Sequence, residues 1–389
     1  MSILFSPYTL GRMEIKNRFV FSACEDNLAD EKGFVSGACV RKLRNMARNE
    51  IGLIISSHLF VHPWGRTRTG QLGIHDNDTL PGLQRLADTV HGASGKIVFQ
   101  LGHAGSTAKE SVIGRAPLGP SARDGAMNET EIRDVVRAFG NAAGRAADAG
   151  ADGIQIHAAH GYLINQFLSP FFNHRNDSWG GTVENRFRLL REIVEETRRR
   201  LAPGMALLVK MNASDHTPEA GITPPLAVDY ARRLAGLNID GLEVSCGTSA
   251  LSPWNMCRGD VPVAEILRGM SDSKRAAAAA ALDKIRHAFG PTEAYNLDSA
   301  IRMRPVMGHT SLFAVGGWRH VAAMEAAVHK GETDLIAMCR PFLREPSLVR
   351  KIHNGKTASS CIDCNRCLIA LAQGFPGRCY RKGLPESGG

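Results

Sequence analysis

The chain contains no uninterrupted apolar run near the roughly 18 residues that cross a bilayer, so no membrane span is expected. Its opening residues, MSILFSPYTL, lack a basic stretch followed by a long apolar core, so no secretory signal is expected either. A cytoplasmic chain with reduced thiols follows from that reading. Aromatic residues make up only 6%, which leaves little material for an aromatic bowl around an organic cation. Acidic residues are outnumbered, 38 against 47 basic ones, for a net charge of +9. The excess suits either a solvated basic surface or the attraction of anionic ligands such as phosphorylated cofactors or acyl-CoA. No nucleic-acid-binding motif accompanies it, so a nucleic-acid partner is not expected.

Eight apolar, β-rich runs are present: RFVFSA, GLIISSH, KIVFQLG, DGIQIHA, ALLVKMN, DGLEVSCG, LFAVGG and DLIAMCRP. Between them lie segments with apolar residues at three- and four-residue spacing, such as ETEIRDVVRAFGNAAGRAADAG and ENRFRLLREIVEETRRRL. Strands alternating with helices imply right-handed parallel crossovers, and eight such units predict a closed (β/α)8 barrel. An open doubly wound sheet is the alternative, but it wants a glycine fingerprint after its first strand, and RFVFSACEDN has none. The barrel is expected over residues 1–355 and a cysteine-rich extension over 356–389. Residues 254–296 read as an insertion after the sixth strand, with an alanine run that favours helix.

Barrels collect their chemistry at the C-terminal ends of the strands. Those ends carry Ser22, Ala23 and Cys24, then Ser57 and His58, Gln100, His157 with His160 and Tyr162, Lys210, Gly316–Gly317, and Cys339–Arg340. A Gly-Gly turn before a helix, with an arginine nearby, suits a phosphate. The amide of Gln100 offers one donor and one acceptor edge, which matches a flavin or pyrimidine ring. Each of these groups also has a bland reading as a locally satisfied polar side chain. His157 and His160 are either core or cap histidines, or a pair of donors to one carbonyl oxygen, with Tyr162 as proton donor.

The stretch QIHAAHGYLINQFLSPFFNHRNDSWGGTVENRFRLLREIV resembles the signature of the Old Yellow Enzyme family of FMN-dependent ene-reductases. KNRFV, FQLGHAG, LFAVGG and DLIAMCRPFLREP match in order, so the resemblance spans about residues 5 to 355. It implies a barrel with FMN at its mouth, reduced by NADH or NADPH, passing hydride to an activated alkene. It implies that Ser22, Ala23 and Cys24 line the ring, that Ser57 and His58 touch it through the second strand, and that Gln100 bonds its pyrimidine edge. Lys210 would stand where the family usually has Arg. Gly316, Gly317, Cys339 and Arg340 would hold the phosphate, although the family commonly has Gly in place of Cys339. His157 and His160 would bind the substrate oxygen and Tyr162 would protonate. The position that tunes the flavin falls on Glu25, beside Cys24.

Cys361, Cys364, Cys367 and Cys379 form a C-x2-C-x2-C-x11-C pattern. Four thiolates so spaced suit a [4Fe–4S] cluster or zinc, or remain free or oxidised. The pattern resembles the 2,4-dienoyl-CoA reductases and trimethylamine dehydrogenases, which favours iron–sulfur. The expected partners are a small-molecule substrate, an electron-donor protein for the cluster, and a second copy of the chain. Two other functions stay open: amine oxidation of the trimethylamine dehydrogenase type, and an electron-transfer subunit.

Overall fold

The computed structural model describes residues 2–121, 125–268 and 270–385; the last four residues of the expected extension lie outside them. Two short antiparallel strands, β1 (Tyr8–Leu10) and β2 (Met13–Ile15), precede eight parallel ones. These are β3 (Phe19–Phe21), β4 (Leu53–Phe60), β5 (Lys96–Gly102), β6 (Gly153–Ala158), β7 (Ala206–Asn212), β8 (Gly241–Ser245), β9 (Ser311–Val315) and β10 (Leu335–Met338). They pair in sequence order, and β10 returns to β3 through Ile336↔Phe19 and Met338↔Phe21, closing the (β/α)8 barrel. All eight expected runs are barrel strands.

Strand alternation divides each strand between two environments. Outward residues such as Ile154, Ile156, Leu242 and Val244 meet the surrounding helices in the main core. Inward residues near the strand starts, Val20, Leu53, Val98, Leu208 and Phe313, form a second apolar cluster with Leu10, Met13 and Ile15 of the hairpin. The hairpin thus plugs one end of the barrel. The next inward layer turns polar, with Ser22, Gln100, Gln155, Lys210 and Glu243, all buried. The open end is therefore the polar end.

β4 departs from strict alternation. Its pairing with β5 shifts register between Ile55 and His58. Ile55 belongs to the inner apolar cluster, and without a bulge Ser57 would be the next inward residue. The extra residue transfers that role to His58.

The two longest described helices begin with local chemistry that stops the preceding loop. Asn128 and Glu131 form a reciprocal capping box, at 3.0 Å both ways, before the helix Glu129–Asp148. Thr182 caps Val183–Arg200, whose last turn carries Arg198, Arg199 and Arg200. Much of the NDSWGG run serves this packing: Trp179 is buried under the guanidiniums of Arg133 and Arg188, 5.1 and 4.4 Å from its ring centre. The insertion after β8 forms Pro253–Met256, Val263–Leu267 and the alanine-rich Asp272–Ile285, as expected. The extension then crosses the open end and places the helix Arg366–Ala372 over it.

Candidate active site

A cavity of about 360 Å³ opens at the polar end. Every residue singled out for flavin or substrate lines it except Ser57. Ser57 is buried in the β4 bulge instead. His58 contributes its side chain and not only its backbone: its ring centre lies 5.3 Å from that of Tyr162 and 5.6 Å from that of His157. The bulge was the missing information, because alternation alone puts Ser57 inward.

The inner polar layer is a continuous chain of hydrogen bonds. Gln100 Nε2 donates to Gln155 Oε1 at 2.7 Å, and Gln155 Nε2 donates to Glu243 Oε2 at 2.8 Å. Glu243 Oε1 takes Lys210 Nζ at 3.1 Å, and Lys210 donates to Ser22 Oγ at 3.0 Å. Ser22 Oγ closes the chain by donating to Glu243 Oε1. Glu243 has no exposed surface. It neutralises Lys210 and fixes the ammonium at the cavity wall. Glu243 and Gln155 escaped the sequence reading. Their signal was a polar residue at inward parity within an otherwise apolar strand.

The three side chains singled out at the end of β6 are brought together by one turn. His160 and Gly161 both take positive φ, +64° and +79°, so the chain reverses directly after the strand. His160 N–H donates to Asn212 Oδ1 at 3.2 Å, and its Nε2 stands 2.7 Å from Ser245 Oγ. The His157 ring lies 5.2 Å from the His160 ring, nearly perpendicular to it, and 5.0 Å from Tyr162. Burial holds both imidazoles well below their ordinary pKa; His160, His58 and Lys210 add to this at His157, and Lys210 and His58 at His160. Burial pushes the Tyr162 phenol up, and the Glu25 carboxylate adds to the shift. At neutral pH the three groups are uncharged donors at the cavity wall.

The phosphate-like end is more crowded than the sequence suggested. A Cβ on Gly316 would stand 2.4 Å from the Tyr295 ring, and one on Gly317 would stand 2.2 Å from Thr292 O. Glycine is required there so that the insertion can close on the turn. Tyr295 donates to Met256 O at 2.7 Å, and both residues line the cavity. Cys339 faces Cys24 across the neighbouring ends of β10 and β3. The interaction of the two thiols lowers the Cys24 pKa and raises that of Cys339. Glu25 pairs with Arg68 Nε at 2.7 Å and accepts from Thr67 Oγ1 at 3.0 Å. Its charge is therefore compensated inside the cavity wall.

Leu368, Ile369, Leu371 and Ala372 of the extension form part of the cavity lining. Arg68 Nη1 donates to Leu371 O, and Asn27 Nδ2 donates to Gly374 O at 2.5 Å, tying the extension down. Cys361, Cys364, Cys367 and Cys379 all line a second, small cavity of about 20 Å³. Among the described residues, no three His, Cys, Asp or Glu side chains already stand in a metal-holding arrangement. No helix among them is long and apolar enough to cross a membrane.

Comparison with known proteins follows the same outline. The model of the NADH:flavin oxidoreductase / NADH oxidase family matches residues 3–223 and 260–359. The chain is 38% identical over 277 residues to an NADPH dehydrogenase of Geobacillus sp. (strain WCH70), covering 69% of this chain and 80% of that one. It is 30% identical over 381 residues to a 4,4'-dithiodibutanoate disulfide reductase of Rhodococcus erythropolis, covering 95% and 93%. Among solved structures, a 2-naphthoyl-CoA reductase complex superposes with a TM-score of 0.83 at 25% identity, over 97% of this chain; the chain spans only 56% of that protein. An Old Yellow Enzyme homologue from Zymomonas mobilis superposes with a TM-score of 0.71 at 25% identity, over 93% of this chain and 95% of its own. The unmatched interval 224–259 covers the helix Pro224–Gly236, β8 and the start of the insertion, and Ser245, Ser249, Trp254, Met256 and Cys257 within it line the cavity. With barrel, cavity and sequence in agreement, the chain belongs to the NADH:flavin oxidoreductase / NADH oxidase family and is an FMN-dependent NAD(P)H oxidoreductase.

Proposed function

We propose that this oxidoreductase reduces an electron-poor C=C bond conjugated to a carbonyl, in an enone or an enoyl thioester. One observation carries the reading: two neutral imidazoles and a protonated phenol from a single strand end converge on the cofactor-sized cavity. The residues fit FMN in kind. The amide of Gln100, the compensated cation Lys210 and the glycine turn line one cavity, with Arg340 at the turn's end. Bound there, FMN supplies hydride, taken from NADH or NADPH, to the carbon β to the carbonyl. His157 and His160 hold the carbonyl oxygen and stabilise the charge that develops on it. Ser245 engages His160 Nε2, which leaves Nδ1 for the substrate. Tyr162 delivers a proton to the α-carbon. Lys210 is kept in place by Glu243 and Ser22.

The thioester branch draws support from the 2-naphthoyl-CoA reductase likeness. The four tail thiols fit a metal centre in donor type and number, and Arg340, Arg344 and Arg381 border the same cavity. We read them as ligands of a [4Fe–4S] cluster, fed by an electron-donor protein. Iron and acid-labile sulfide in anaerobically purified protein test that part separately.

Anaerobic titration tests the main reading. NADH or NADPH is expected to bleach the flavin band, and 2-cyclohexen-1-one or crotonyl-CoA to restore it with formation of the saturated product. Bleaching by trimethylamine instead, or no response to either nicotinamide, would overturn it.

A further inference from the structure

The geometry points to Asp363, within the cysteine loop, as the residue that positions two cofactor-side arginines, Arg319 and Arg340. The inference rests on the reading above that the cofactor phosphate lies at the Gly316–Gly317 end of the cavity. Asp363 Oδ1 lies 2.9 Å from Arg340 Nη1 and also contacts Arg319 Nη2. All three side chains are withdrawn from water, at 4%, 10% and 12% exposure for Asp363, Arg340 and Arg319. Two buried guanidiniums this close repel each other unless a carboxylate stands between them.

The direction of approach decides what Asp363 does. Arg319 and Arg340 line the large cavity, whereas Asp363 does not. Asp363 lines the small cavity of the four cysteines, and Arg340 is the wall common to both. The carboxylate braces the cations from behind and leaves their other faces for a phosphate. Its backbone is fixed independently. Asp363 takes φ +53°, a left-handed conformation that Asp tolerates, and its carbonyl accepts Asp260 N–H at 2.9 Å. Gly259 is required for this approach, because a Cβ there would stand 2.1 Å from Asp363 O. Asn365, two residues on, completes the brace. It accepts Arg340 Nη1 at 2.6 Å and donates to Cys257 O at 2.7 Å and Asp260 O at 3.1 Å. Insertion, cysteine loop and arginines are thus one unit. Apart from the Asn365 contact with the Cys257 carbonyl, the brace reaches the large cavity through the two arginines, so its effect is expected to fall chiefly on the phosphate.

Riboflavin, which lacks the phosphate, separates this role from general damage. Apoprotein of the full chain is titrated with FMN and with riboflavin, following quenching of flavin fluorescence. Asp363→Asn is expected to weaken FMN by about ten- to a hundredfold, the range for loss of a charge-assisted contact. Riboflavin binding is expected to stay as in the parent protein, and Asp363→Glu to recover part of the FMN affinity. Arg340→Ala tests the underlying reading. If it leaves FMN affinity unchanged, the phosphate placement is wrong. If Arg340→Ala weakens FMN but Asp363→Asn does not, or weakens both flavins alike, the brace is wrong and the placement stands.

Discussion

In the proposed reaction Tyr162 serves as an acid only while it keeps its proton, and the histidines serve as neutral donors only while they lack a second one. Both conditions follow from burial. The imidazole pKa values lie well below the ordinary 6.5 and the phenol above the ordinary 10.0. A depressed imidazole pKa means that protonation, and loss of the donor pair's neutral form, begins only at lower pH. A raised phenol pKa means that deprotonation begins only at higher pH. The substrate-reducing rate is therefore expected to stay flat through pH 6.5 and through pH 10, limbs that a solvent-exposed His or Tyr would produce. Tyr162→Phe removes the acid while keeping the ring packed against His58 and His157. It is expected to slow enone reduction by roughly a hundredfold or more, the usual worth of a positioned acid. Flavin reduction by NADPH should keep its rate, and stopped-flow separation of the two half-reactions checks both. Glu243 is different in kind, since its work is to neutralise Lys210 in the barrel. Glu243→Ala leaves a buried ammonium uncompensated and is expected to cost about 3–5 kcal/mol, measurable by urea unfolding. Lys210→Met in the same background should return part of that loss.

At the level of elements, what the sequence disclosed depended on whether the signal was local. Barrel strands were legible because each is an apolar run between polar turns, and the helix Glu129–Asp148 because its apolar stripe recurs within a few residues. The catalytic candidates of β6 were legible for the same reason: strand, turn and side chains are contiguous. The β4 bulge was not, because it exists only in the pairing of β4 with β5. The cover formed by Arg366–Ala372 was not either, since its partners Arg68 and Asn27 lie some three hundred residues earlier. One anchor of that cover makes a pH prediction. Glu345 accepts Ser360 N–H at 2.6 Å and takes Lys356 and Lys351 at 2.9 and 3.0 Å, just ahead of Cys361. Burial alone would raise its pKa, but the Ser360 bonds and the two lysines outweigh it and draw the carboxyl down to about 2. A carboxylate depressed on folding stabilises the fold above its unfolded pKa, near 4.3, and that stabilisation fades as pH falls from there toward 2. The parent protein should lose thermal stability across this window. Glu345→Gln should start lower at neutral pH and show a flatter profile, as read by Tm against pH.

For the molecule as a whole, the barrel and the extension divide two tasks. Each barrel strand has both neighbours without the extension: β10 pairs with β3 and β9, and β3 with β4. The apolar plug at the closed end is drawn from the hairpin and the inward strand residues alone. The open end has no such independence. There the extension supplies lining residues at the cavity, a backbone acceptor for Arg68, and the Gly377 N–H that reaches Asp26 O at 2.6 Å. A chain cut after Gly355 is therefore expected to keep its far-ultraviolet dichroism and unfold cooperatively, while losing bound flavin on gel filtration. It should also bind an apolar dye that the full chain does not, because the lining of a cavity of about 360 Å³ becomes surface. If the shortened chain retained FMN as firmly as the whole protein, the cavity would be a property of the barrel alone. The cysteine extension would then be a passenger rather than the fourth wall of the site.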